Sequence, residues 1–161
     1  MLDIQRFLEN PGWAVIGVFA DEANGVPGFS YTVGLTAKGL PELITLGLPE
    51  DSARHILNDA ARRLLAGERF ESGQILHELA NLPLSVRLVD DANARSTAYS
   101  AFRHFPDGCR FLQLVWPNRS GAFPGDPECE QRFVDIQDIA RVAESNDAFR
   151  RALDDSAARP T

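Results

Sequence analysis

The side chains of this 161-residue chain that could do chemistry are three histidines, two cysteines, and a handful of residues in one proline-rich loop. His55, His77 and His104 show neither HxH nor HExxH spacing, so a metal centre would need ligands gathered from three distant segments, and none is expected. Cys109 and Cys129 lie outside any CxxC pair and carry no signature of a catalytic thiol; both are expected as reduced, structural cysteines. Ser30 in GFSYT and Ser120 in NRSGA lack the GxSxG context of an activated serine. The Walker phosphate loop and the GxGxxG dinucleotide loop are both absent. No catalytic residue can be named from these patterns.

Residues 112–127, LQLVWPNRSGAFPGDP, are the most informative stretch. They begin as an apolar strand and end in three prolines and two glycines. Each proline fixes φ and removes a donor, so the segment cannot continue a sheet, yet it is too constrained to be a floppy linker. Ordered loops on rigid scaffolds carry binding residues disproportionately. Trp116, Arg119, Phe123 and Asp126 are therefore the candidate ligand-binding residues. The competing structural account has Trp116 and Phe123 stapling the loop to the core while Arg119 and Asp126 pair at its surface. A weaker candidate is the start of a helix near residue 53, where Arg54, with Thr36 and Lys38 on the preceding connection, could face an anion. Glu50 and Asp51 oppose an anion at that place.

The elements that must position these residues follow from periodicity. Residues 3–9 form a short helix stopped by Asn10-Pro11-Gly12. WAVIGVFA (13–20) and FSYTVGL (29–35) are strands of a hairpin turned at Asn24-Gly25, and LPELITLGL (40–48) is a third strand. Asp51 or Ser52 caps a helix over 53–66. LSVRLVD (84–90) and CRFLQLVW (109–116) are the fourth and fifth strands, separated by a helix beginning at Ser96 or Thr97. A last helix begins at Asp135 or Asp138 and carries Ile139, Val142 and Ala143, with Phe149 and Leu153 in line to continue it. The fold class is α+β: a mostly antiparallel five-stranded sheet, with barrel-like closure left open and helices packed outside. Val15, Val33, Ile44, Val86 and Leu114 are expected to share one core. The domain spans residues 1–153, and 154–161 are expected as a disordered tail.

Composition bounds the partners. A formal charge of −7 and a pI near 4.9 disfavour nucleic acid and anionic lipid, which require a concentrated basic surface. No apolar run approaches the roughly 20 residues of a membrane span, and the N-terminus lacks the basic and apolar regions of a secretion signal, so a cytoplasmic location is expected.

Taken in order, GWAVIGVFADEANGVPGFSYTVGL, LPELITLGL and FLQLVWPNRSGAFPGDP resemble the bacterial family designated domain of unknown function DUF4262, over about residues 12–127. The resemblance implies a bacterial soluble domain and brings no catalytic residues with it. The order hairpin, third strand, amphipathic helix is also similar to the opening of flavin-binding split barrels. That likeness implies flavin mononucleotide (FMN) as cofactor, with Ser30, Thr32, Thr36, Lys38 and Arg54 standing where the phosphate contacts would be. The leading expectation is a non-catalytic binding module without cofactor, recognising a protein or small ligand through the 116–126 loop. The alternatives are a flavin- or nucleotide-binding oxidoreductase, and an immunity or antitoxin-type partner protein.

Overall fold

The computed structural model describes residues 4–158. Met1–Asp3 and the end of the expected tail, residues 159–161, lie outside the described residues. The described residues build six strands and six α-helices in the order α1 (Ile4–Glu9), β1 (Ala14–Val18), β2 (Phe29–Val33), β3 (Glu42–Leu46), α2 (Glu50–Leu65), β4 (Ile75–Leu76), β5 (Leu84–Leu88), α3 (Asp91–Thr97), α4 (Tyr99–His104), β6 (Phe111–Val115), α5 (Gln131–Asp135) and α6 (Ile139–Ala158).

The α+β class holds, but the sheet differs from expectation in number, direction and closure. It has six strands in the order β1-β2-β3-β6-β5-β4 and is open, with β1 and β4 at its edges. β1, β2 and β3 form the expected antiparallel meander; β6 then lies parallel to β3, Glu42 opposite Phe111, making the sheet mixed. The reason is the crossover. The chain leaves β3 through α2, pairs β4 with β5, and crosses α3 and α4 before β6 enters between β3 and β5 in the direction of β3. The missed strand, β4, is only two residues long and follows a stretch without alternation.

The central strands β2, β3 and β6 are buried along their whole length because helices cover both faces of the sheet. This makes two cores where one was expected. Leu43, Val86, Leu112 and Leu114 pack with the Ile56, Leu57, Ala60 and Leu64 stripe of α2, with Val15 partly buried beside them. Val33 and Ile44 belong to the other face with Phe29, Tyr31, Phe111 and Val142. The alternation of side chains across each strand sends neighbours into different cores.

Local chemistry explains the ends of the elements. Gly25 takes φ 65° at the hairpin turn, where Asp21 accepts the Asn24 amide, as Asn24-Gly25 predicts. Gly34 sits at φ 131°, where a Cβ would lie 2.4 Å from the Gly12 carbonyl oxygen, so the β2–β3 connection closes against the residues that lead into β1. Helix α2 starts at Glu50 with Pro49 as its cap residue, earlier than the expected Asp51 or Ser52; Glu50 and Asp51 fill the first turn, where carboxylates complement the helix dipole. The helix expected from Ser96 or Thr97 begins instead at Asp91, capped by Asp90 accepting the Asn93 amide, and breaks at Ala98 before α4. Helix α6 continues past Asn146 through Ala158, so residues 154–158 are helical where a disordered tail was expected. Among the described residues no helix is long and apolar enough to cross a membrane.

Candidate functional site

The loop after β6 is ordered by two buried amide side chains. Trp116 leaves the sheet with its backbone N donating to Gln137 Oε1 at 2.9 Å, and Gln137 Nε2 donating to Trp116 O at 2.9 Å. The Trp116 indole Nε1 donates to Leu46 O at the end of β3, at 2.8 Å. Two residues on, Asn118 is 3% exposed. Its Oδ1 accepts from Ser120 N, Ser120 Oγ and Ala122 N at 3.0, 2.8 and 2.9 Å. Its Nδ2 donates to Glu128 O at 3.2 Å and to the Glu130 carboxylate at 3.3 Å. Asn118 thus does within one side chain what a short strand would do with its backbone. Further on, the Pro124 carbonyl accepts from the Arg87 guanidinium of β5.

Against this frame an open groove of about 600 Å³ runs between the loop and α5. Trp116, Pro117, Phe133 and Ile136 supply its apolar walls, and Arg119 and Arg132 its cations. The Trp116 and Phe133 rings meet edge to face, centroids 5.5 Å apart at 81°, and the Arg132 guanidinium lies 4.8 Å from the Phe133 ring centre. Arg119 and Arg132 are exposed, and among the described residues neither forms an ion pair with a carboxylate.

The four residues singled out in the sequence are only partly brought together. Trp116 and Arg119 line the groove. Asp126 does not pair with Arg119; it folds back on its own turn, accepting the Phe123 amide at 2.9 Å while the Phe123 carbonyl accepts the Asp126 amide at 2.9 Å. Phe123 is half-buried and joins neither core cluster. Arg132 and Phe133, which sequence reasoning passed over, complete the groove from α5; the only signal was an Arg-Phe pair at the start of a five-residue helix.

The residues named for a flavin phosphate fall elsewhere. Thr32 Oγ1 and Thr36 Oγ1 donate to the carboxylate of Glu42, at 2.9 and 2.5 Å, and the backbone amides of Gly34, Leu35 and Thr36 donate to the same group at 2.9–3.2 Å. Glu42 is fully buried, so five donors surround a carboxylate shut away from water and lock the β2–β3 connection. Its signal in the sequence was a glutamate inside the apolar run LPELITLGL, with two threonines on the preceding strand and turn. Lys38 is exposed near Gly12, Arg54 pairs with Asp51 at 2.6 Å, and Ser30 lines a separate apolar groove beside Gly17 and Gly47.

No thiol or imidazole lines the groove among the described residues. Burial pushes the Cys109 thiol up to about 11, with the Glu42 charge adding to the rise. Cys129 is also raised, by partial desolvation and then by Glu130 and Asp126. Both hold their protons at neutral pH and are poor nucleophiles. His55 faces Asp59 at 3.2 Å on α2, His104 ends α4, and the His77 carbonyl accepts from Arg63. Among the described residues no three His, Cys, Asp or Glu side chains converge as metal ligands would.

No curated protein and no solved structure matches the chain. A family model does match, over residues 8–130, well over half of the sequence and from the end of α1 to the brink of α5. The chain belongs to the family described as domain of unknown function DUF4262.

Proposed function

We propose that the domain is a binding module whose groove between residues 116–119 and α5 takes an anionic ligand with a flat apolar body, a small aromatic or conjugated carboxylate being the simplest form. The observation that carries this reading is the pair Arg119 and Arg132. They come from different segments, flank the Trp116–Phe133 edge-to-face pair, and have no carboxylate partner among the described residues of a chain with net charge −7. Guanidinium forks match carboxylate geometry in a bidentate way, and an aromatic floor favours a planar ligand. The floor is preorganised, since Gln137 and Leu46 hold Trp116 in place, so little ordering entropy opposes binding.

A panel of aromatic carboxylates and their uncharged amides tests this reading by calorimetric titration. The carboxylates are expected to bind saturably and the amides at least about tenfold more weakly, the loss of one charge-assisted hydrogen bond. Equal binding of acids and amides would contradict the role given to the arginines.

A further inference from the structure

The two edges of the sheet are unequal. β4 is two residues long and offers little backbone to pair with. β1 runs for five residues, AVIGV, and carries no charge and no proline. Chains that keep such an edge monomeric blunt it with lysine, proline, a bulge or a covering segment. β1 itself has no lysine, no proline and no bulge, and it leads into Phe19, 86% exposed.

Alternation fixes the faces. Trp13 and Val15 pack toward α2, a Cβ on Gly17 would meet Glu50 of α2 at 3.2 Å, and Phe19 follows in the same phase. At the other end of the edge, on this α2 side, a cleft of about 310 Å³ opens between Phe7 and Pro11 on one wall and Arg54, Asn58 and Arg62 on the other, beside Trp13. The Trp13 indole donates to Asn58 Oδ1 at 2.9 Å and is held there. Arg54 and Arg62 each reach one aspartate of their own helix yet keep 52% and 63% of their side chains exposed. An edge strand thus has an exposed aromatic knob at one end and an aromatic, cationic cleft at the other.

We propose that β1 is a homodimer interface: the edge strands of two copies pair antiparallel about a two-fold axis at Ile16, and Phe19 of each copy enters the other's cleft beside Trp13. In this register Ala14 lies opposite Val18 and Trp13 opposite Phe19. Residues opposed across antiparallel strands point to one face, so knob and cleft meet on the α2 side. A slip of one residue would turn Phe19 to the face away from the cleft. Charge runs the same way. Asp21 and Glu22, just past Phe19, arrive at the end of the strand that carries the partner's arginines, and the two-fold repeats every contact. Main-chain pairing supplies affinity, and the two buried phenyl rings fix the register.

Sedimentation equilibrium on the full chain is expected to give a dimer, and Phe19→Glu, a change at an exposed position, to weaken it at least about 30-fold, as loss of an interface anchor does. Unchanged circular dichroism of the variant shows that folding is not the cause. Ile16→Cys, placed in a Cys109→Ala, Cys129→Ser background, is expected to form an interchain disulfide on mild oxidation. Opposed Cα atoms of antiparallel strands lie about 4.5–5.5 Å apart, within disulfide reach. Phe149→Cys, exposed on α6, is the control expected to stay reduced. A chain that remains monomeric at every concentration, a dimer that survives Phe19→Glu, or a dimer that does not cross-link through position 16 would each overturn the proposal. The first of these outcomes would leave the edge for a strand of another protein.

Discussion

Gln137 and Trp116 exchange two hydrogen bonds of 2.9 Å each, so that a side-chain amide from the approach to α6 pairs with the backbone of a residue leaving β6. The Gln137 carbonyl also accepts from Gln113 Nε2 at 2.8 Å, joining the same segment to the middle of β6. Gln137 is 5% exposed and replaces the strand neighbour that Trp116 lacks. One wall of the groove therefore depends on a residue that is not itself at the front of it.

Gln137→Ala is expected to lower stability by about 1 to 2 kcal/mol, since it leaves the part-buried backbone amide and carbonyl of Trp116 without their partner. Urea denaturation measures the loss. A companion decrease in Trp116 emission order, read by fluorescence anisotropy in a Trp13→Phe background, places the effect at the loop.

Glu42→Ala is expected to cost more than about 3 kcal/mol, because five donors lose one acceptor in a place that water does not reach. Differential scanning calorimetry should show a marked fall in melting temperature. An unchanged value would mean that the β2–β3 connection is held by other contacts.

The Cys109 thiol gives a pH dependence with a definite sign. Its folded value of about 11 lies above the ordinary 9.0, so the folded protein holds this proton more tightly than the unfolded chain. The stability it contributes is complete below about pH 9 and is lost as pH rises through about 11. Cys109→Ala should accordingly melt with a weaker pH dependence than wild type across that window. Burial raises Tyr31 as well, and the Cys109 charge adds to that rise, so the difference between the two melting curves reports the thiol together with its coupling to Tyr31.

Much of the fold was legible because its signals are local. The hairpin at Asn24-Gly25, the α2 stripe and the five longer strands each follow from a period or a turn residue. What could not be read was non-local. The parallel pairing of β3 with β6 depends on how α2, β5 and the α3–α4 pair fill the space between them, and nothing within either strand encodes direction. The two-residue β4 is too short to show alternation. The site divided in the same way. Proline and glycine marked the loop, and Trp116 and Arg119 proved to line its groove, but Arg132 and Phe133 reach it only through the fold. Asp126 satisfies its own turn, a preference that Asp carries in any loop and that a search for partners across the loop overlooks.

In the proposed function Arg119 and Arg132 recognise an anion in a groove whose frame does not need them. The most direct measurement is a fluorescence titration of the Trp13→Phe protein, leaving Trp116 as its only indole, with the tightest-binding aromatic carboxylate, beside the same protein carrying Arg119→Ala and Arg132→Ala. Saturable change in Trp116 emission is expected for the first, binding at least about 100-fold weaker for the second, and melting temperatures alike, since both arginines are exposed and without an ion-pair partner among the described residues. Equal affinity in the two proteins, or no saturable binding of any carboxylate by the first, would contradict it.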